Sequence, residues 1–186
     1  MSLPQKPKPA KLVIGIFMKD KALAKPVAQE LIDHFGHMDL LSAWFPFDYT
    51  DYYHTEMGRP LVRRVFSFIE LIEQTFLAEV KNITNRIEEK YSKNGSRRVN
   101  IDPGYLLLER FVLATGKNFA HRIYIDKEIY ADLTLIYKDG GYQKLPWTYP
   151  DYSAEDMTKY LLKVRSKYTY DLKQELSDNK EEKTGE

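Results

Sequence analysis

A chain of 186 residues with 43% hydrophobic and 30% charged residues has enough apolar content to bury one core and too much to stay disordered. Its formal net charge of +1 excludes the broad basic footprint of a non-specific nucleic-acid binder, and the absence of cysteine excludes a disulfide framework or a thiolate metal site. No apolar run is long enough to span a bilayer and residues 1–11 lack a signal-peptide core, so a soluble, cytoplasmic protein with no membrane partner is expected.

In chain order, residues 1–10 carry three prolines and read as a flexible arm. Residues 11–18 form an apolar, β-branched run, which predicts a buried strand. Leu23, Val27, Leu31 and Phe35 recur every four residues as one face of a helix, with Pro26 in its first turn and Gly36 at its end. Residues 38–47 are expected to be extended. Residues 61–69 alternate as a strand with Val62, Arg64, Phe66 and Phe68 on one face. Phe76, Val80, Ile83, Ile87 and Tyr91 mark a second helix, stopped by Asn94-Gly95. Residues 98–102 read as a short strand ended by a turn at Asp102-Pro103-Gly104.

This βαββαβ order predicts an α+β fold with a ferredoxin-like core. Residues 105–114 fit helix or strand equally. Residues 119–125, 129–137 and 142–145 predict a C-terminal β-meander with a tight turn at Asp139-Gly140. Ser153 and Asp156 resemble a capping box for a terminal helix that buries Met157, Leu161, Val164 and Tyr168. Residues 177–186 read as a disordered tail, which leaves 11–176 as a single domain.

Several segments could carry chemistry. Residues 45–58 gather Asp48, Asp51, His54 and Glu56 among three tyrosines, but their spacing matches no zinc or calcium motif, so no metal is expected there. Asp48, Asp51, Asp102 and His121 are the candidates for acid–base work. Arg98 and Asp102 lead into Pro103-Gly104-Tyr105, where a guanidinium and free backbone N–H groups can hold an anion. Alternation places Arg122 opposite Asp132 as a cross-strand ion pair. Trp147 and Tyr149, in a proline-bounded stretch, either wall a pocket or pin the last helix.

Two familiar patterns fail. The only Gly-Lys pair, Gly116-Lys117, is followed by Asn118 and has Phe111 where a P-loop needs glycine. Residues 64–69 echo an RNA-recognition signature, with Val65, Ser67 and Leu71 at its glycine, small and aromatic positions; Phe66 and Phe68 are therefore read as core, and no nucleic-acid partner is expected.

The ordered segments FPFDYTDYY, RRVNIDPGYL, VLATGKNFAHRIYI, IYADLTLIY and LPWTYPDY resemble the prokaryotic family catalogued as domain of unknown function 4416, over residues 10–172. Some of its members are labelled GTP-binding protein. The resemblance directs attention to Asp48, Asp51, Arg98, Asp102, His121, Arg122 and Trp147 and assigns them no roles. The leading expectation is a small-molecule-binding domain in which Arg64, Arg98, Arg122, Tyr105, Trp147 and Tyr149 meet an anionic, nucleotide-like ligand. The alternatives are an acid–base or metal-dependent enzyme using the Asp and His groups, and a protein-interaction module. The sequence identifies no particular cofactor and leaves that question open.

Overall fold

The structure is a computed structural model that describes the backbone of residues 1–184 and the side chains of residues 1–175. β1 (Ala10–Met18) is buried along its whole length because it is covered on both faces. It pairs antiparallel with β4 (Val62–Ile72) on one side and β5 (Val99–Leu106) on the other. β2 (Met38–Leu41) and the short β3 (Phe45–Pro46) pair with the far edge of β4. The order β2-β4-β1-β5, antiparallel throughout, is the ferredoxin-like arrangement that the βαββαβ pattern predicts.

Two helices cover one face of this core. α1 (Ala24–Phe35) and α3 (Leu77–Lys90) bring Val27, Leu31, Phe35, Val80, Ile83 and Ile87 onto Ile14, Ile16, Phe66, Phe68 and Ile101. Phe66 and Phe68 thus lie under helices, as core and not as a base-stacking surface. α1 ends at Gly36 with φ +84°, a conformation that favours glycine.

The sheet continues through β6 (Arg110–Thr115), β8 (Ile129–Lys138) and β7 (Arg122–Asp126), in that spatial order. The expected meander is present, with β7 and β9 (Gly141–Lys144) each antiparallel to β8, and β8 joins it to the rest of the sheet by pairing also with β6. β9 returns along β8 through Asp139-Gly140, both at positive φ as a tight hairpin turn requires. α4 (Glu155–Thr184) crosses the second face and buries Met157, Leu161, Val164 and Tyr168, the predicted stripe.

Polar anchors fix α4 in place. Lys11, fully buried in β1, is held between Asp39 of β2 and Asp171 of α4, the latter at 2.7 Å. The Tyr168 hydroxyl donates to the Pro9 carbonyl at 2.6 Å and Tyr160 to that of Leu40 at 3.0 Å.

Two local expectations need correction, and one open alternative is resolved. Asp102-Pro103-Gly104 is not a turn, because β5 runs straight through it. Glycine is needed there for close approach: a Cβ on Gly104 would stand 2.4 Å from the Val112 carbonyl of β6. Residues 105–114 are strand, helix at no point, with a connection between β5 and β6. Ser153 does not cap α4; its hydroxyl donates to the Pro150 carbonyl inside the preceding turn. The tail expected over 177–186 lies outside the residues whose side chains are described.

Candidate functional site

β5 and β6 pair only from Gly104 opposite Leu113 to Leu106 opposite Phe111. Pro103 has no N–H to extend the ladder, and the pairing stops beside it. Beyond that point β5 carries Asn100 and Asp102 while β6 carries Ala114 and Thr115, and the two strands form the sides of a fork. A cleft of about 690 Å³ fills it. Lys81, Asn85 and Glu88 of α3 lie on one side, Tyr49, Tyr52 and Tyr53 of the segment between β3 and α2 (His54–Met57) on another, and Tyr149 to Tyr152 close it from the segment before α4.

Arg63 is the centre of the floor, 2% exposed. Its strand, β4, is separated from β5 by β1, yet its guanidinium donates to Asp102 of β5 at 2.6 Å. It passes over Gly15, where a Cβ would come within 3.9 Å of Arg63 Nε. The other end of the fork binds Asp151. Aromatic faces enclose the guanidinium: Phe47 and Tyr152 each lie 4.7 Å away and Phe17 5.3 Å, with Phe17 stacked on Phe47 at 4.2 Å.

Asp102 extends the network outward. It accepts from Asn100 at 2.7 Å, Asn100 accepts from Arg97 at 2.8 Å, and Arg97 grips Glu56 through two 2.8 Å bonds. The Arg97 hydrogen bonds hold the Glu56 carboxyl below the usual carboxylate range. Glu88 lies on the other side of Arg97, with 3.5 Å between their charged groups, and accepts from the Ile101 N–H at 2.6 Å. Burial pushes its carboxyl upward, outweighing the Lys81 ammonium 3.8 Å away. Burial also raises the hydroxyls of Tyr53 and Tyr152 above their ordinary range.

At the mouth, Arg122 joins three segments. It donates to Asp132 at 2.9 Å, to the Lys117 carbonyl at 3.0 Å and to the Tyr149 hydroxyl at 2.9 Å. Burial would lower its basicity, but Asp132 and Tyr149 outweigh that and raise it. Lys117 donates to the Tyr52 hydroxyl at 3.1 Å and sits 4.7 Å over that ring; it forms no ion pair among the described residues. The lining carries five cationic side chains, Arg63, Lys81, Arg97, Lys117 and Arg122, against four carboxylates, Glu88, Asp102, Asp132 and Asp151.

Of the residues singled out by sequence, Asp102, Arg122 and Tyr149 line this cleft together. The others lie elsewhere. Arg64 packs on Trp44 and donates to the Ser42 carbonyl, and Arg98 pairs with Asp20 at 3.2 Å. Tyr105 is buried in the core under α4. Trp147 donates to the Leu133 carbonyl and stacks on His121 at 4.8 Å, so it fastens the final segment to the sheet. His121 approaches Asp132 at 3.2 Å behind the cleft wall. Asp51 pairs with His54 and Arg59 in the open, and Asp48 is exposed near it. Asp48, Asp51, Asp102 and His121 are therefore not one constellation. Among the described residues, no group of three or more His, Asp or Glu is placed to hold a metal.

Sequence reasoning missed Arg63, Lys81, Glu88, Lys117 and Tyr152. One signal was available for Arg63: it falls on the face of β4 opposite Phe66 and Phe68, where a charge needs its own partners.

No curated protein and no solved structure matches the chain. A family model does, across residues 8–168, a span that contains every residue lining the cleft. The chain belongs to the family described as Domain of unknown function (DUF4416).

Proposed function

We propose that this chain is a small-molecule-binding domain whose cleft takes an anionic, ring-bearing ligand of nucleotide-like size. The observation that carries the reading is the make-up of the lining: tyrosines at the rim, five cations to four carboxylates, and Lys117 at the mouth with, among the described residues, only Tyr52 as its side-chain partner. Aromatic walls with a few placed polar groups are the usual construction of a ligand pocket.

The test is calorimetric titration with nucleosides, nucleoside monophosphates and inorganic phosphate. Binding of the phosphorylated compounds that weakens on Lys117→Ala supports the reading. Equal or absent heats for all three classes in the wild-type protein would sink it.

A second reading, the protein-interaction module, draws on the edge strand β7. Ile123 is 70% exposed and Tyr124 58% on a strand whose outer backbone edge is unpaired beside them. Sedimentation of the wild type against Ile123→Lys would measure self-association across this edge.

A further inference from the structure

Buried polar atoms nearly always have partners, so exceptions call for an explanation. Among the described residues three buried side-chain atoms make no hydrogen bond of normal geometry: Arg63 Nε, the Tyr152 hydroxyl and the Tyr142 hydroxyl. The first two belong to residues that line the cleft, at 2% and 3% exposure. They are also neighbours, since a Cβ on Gly15 would meet the Tyr152 oxygen at 3.4 Å and Arg63 Nε at 3.9 Å; the Arg63 guanidinium is close enough to act on the Tyr152 hydroxyl, without a bond of normal geometry between them. The third lies away from the cleft, on β9.

We propose that Arg63 Nε–H and the Tyr152 hydroxyl recognise an uncharged acceptor on the ligand's ring, a carbonyl oxygen or ring nitrogen. The ring then enters first, and the anionic group stays outside at Lys117. This rests on the small-molecule reading above and assigns the ligand its direction.

Charge decides which end goes inward. Arg63 already faces two carboxylates, Asp102 and Asp151, so one positive charge meets two negative ones and a further anion there would be repelled. A neutral acceptor meets no such barrier and satisfies donors that otherwise cost free energy when left unpaired. Flat surfaces stand beside the donors: the Phe17–Phe47 stack, and Tyr53 packed edge-on against Phe17 at 4.7 Å. These suit a ring. Lys117, over the Tyr52 ring at the mouth, is the cation left for phosphate or carboxylate.

The experiment is the same titration carried out on Tyr152→Phe, Tyr142→Phe and Lys117→Ala. Tyr152→Phe is expected to weaken nucleosides and nucleoside monophosphates alike, by roughly three- to tenfold, the effect of one lost hydrogen bond, and to leave inorganic phosphate unchanged. Tyr142→Phe, which deletes an equally unpaired hydroxyl outside the cleft, is expected to change nothing. Lys117→Ala should weaken the monophosphates and phosphate but spare the nucleosides. If wild type binds these compounds and Tyr152→Phe binds them equally well, the floor assignment is overturned while the binding reading stands. If wild type binds none of them, both fall. A ligand-free melt adds an independent check: Tyr152→Phe should match or exceed the wild-type midpoint. A lower midpoint would mean that the hydroxyl is already partnered in the free protein, which also overturns the assignment.

Discussion

Arg63 on β4 reaches Asp102 on β5 at 2.6 Å across the intervening strand β1, and Gly15 is the point where it crosses. A side chain larger than alanine there would stand in the path of the guanidinium. Gly15→Ala places its Cβ 3.4 Å from the nearest atom, an ordinary contact, and should cost less than about 1 kcal/mol. Gly15→Leu has no such room and should cost on the order of 3 kcal/mol or fail to fold. Urea denaturation of both variants measures the difference; equal midpoints would refute the crossing.

Removing the guanidinium itself strands charge. Arg63→Met leaves Asp151 buried and Asp102 half-buried with their shared cation gone, a loss of about 3–5 kcal/mol by the usual cost of breaking a buried pair. Arg63→Lys should recover little, because one ammonium cannot span two carboxylates held at opposite arms of a fork. Adding Asp151→Asn to Arg63→Met should restore part of the loss, and a double-mutant cycle would read the coupling.

Glu56 and Glu88, on either side of Arg97, should respond to pH with opposite signs. The folded Glu88 carboxyl lies above its unfolded value near 4.5, so the native state holds more protons and stability falls as pH rises through that window. The folded Glu56 carboxyl lies below 4.5, so its contribution is present above that pH and is lost as pH falls through the folded value. Glu88→Gln should remove only the first dependence and Glu56→Gln only the second. Urea midpoints collected from about pH 3 to pH 8 would separate them.

Lys11 tests the attachment of α4. Lys11→Met leaves Asp39 almost fully buried beside Asp171 with Lys167, 3.7 Å from Asp39 and paired to Asp171, as their remaining ammonium. The expected cost is below the roughly 3–5 kcal/mol of a fully stranded charge, with faster hydrogen exchange in α4 ahead of the central strands. Uniform exchange rates across α4 and β1 would count against this anchor.

Much of the fold could be read from spacing because single faces meet single neighbours. The four-residue rhythm of Leu23, Val27, Leu31 and Phe35 needs only a sheet beneath it, and so does the stripe from Met157 to Tyr168. Asp102-Pro103-Gly104 could not be read so simply. Proline and glycine mark a reversal of the chain and the end of a strand ladder with the same residues, and only the approach of β6 to Gly104 tells them apart. The cleft was partly legible: Arg122 opposite Asp132 follows from strand alternation. Arg63 does not, because alternation separates it from Arg64 without saying that a segment 88 residues away will supply Asp151 to its face.

That separation gives the protein an order of assembly in time. During synthesis, β1, β4 and β5 and the helices over them are available before the segment of residues 149–152 leaves the ribosome. Until that segment folds back, Arg63 has one carboxylate instead of two and the cleft has no outer wall. The cleft is therefore closed late, with only α4 still to follow. A ligand that fits it would hold only chains whose final third has docked, and would pull that late docking step toward completion.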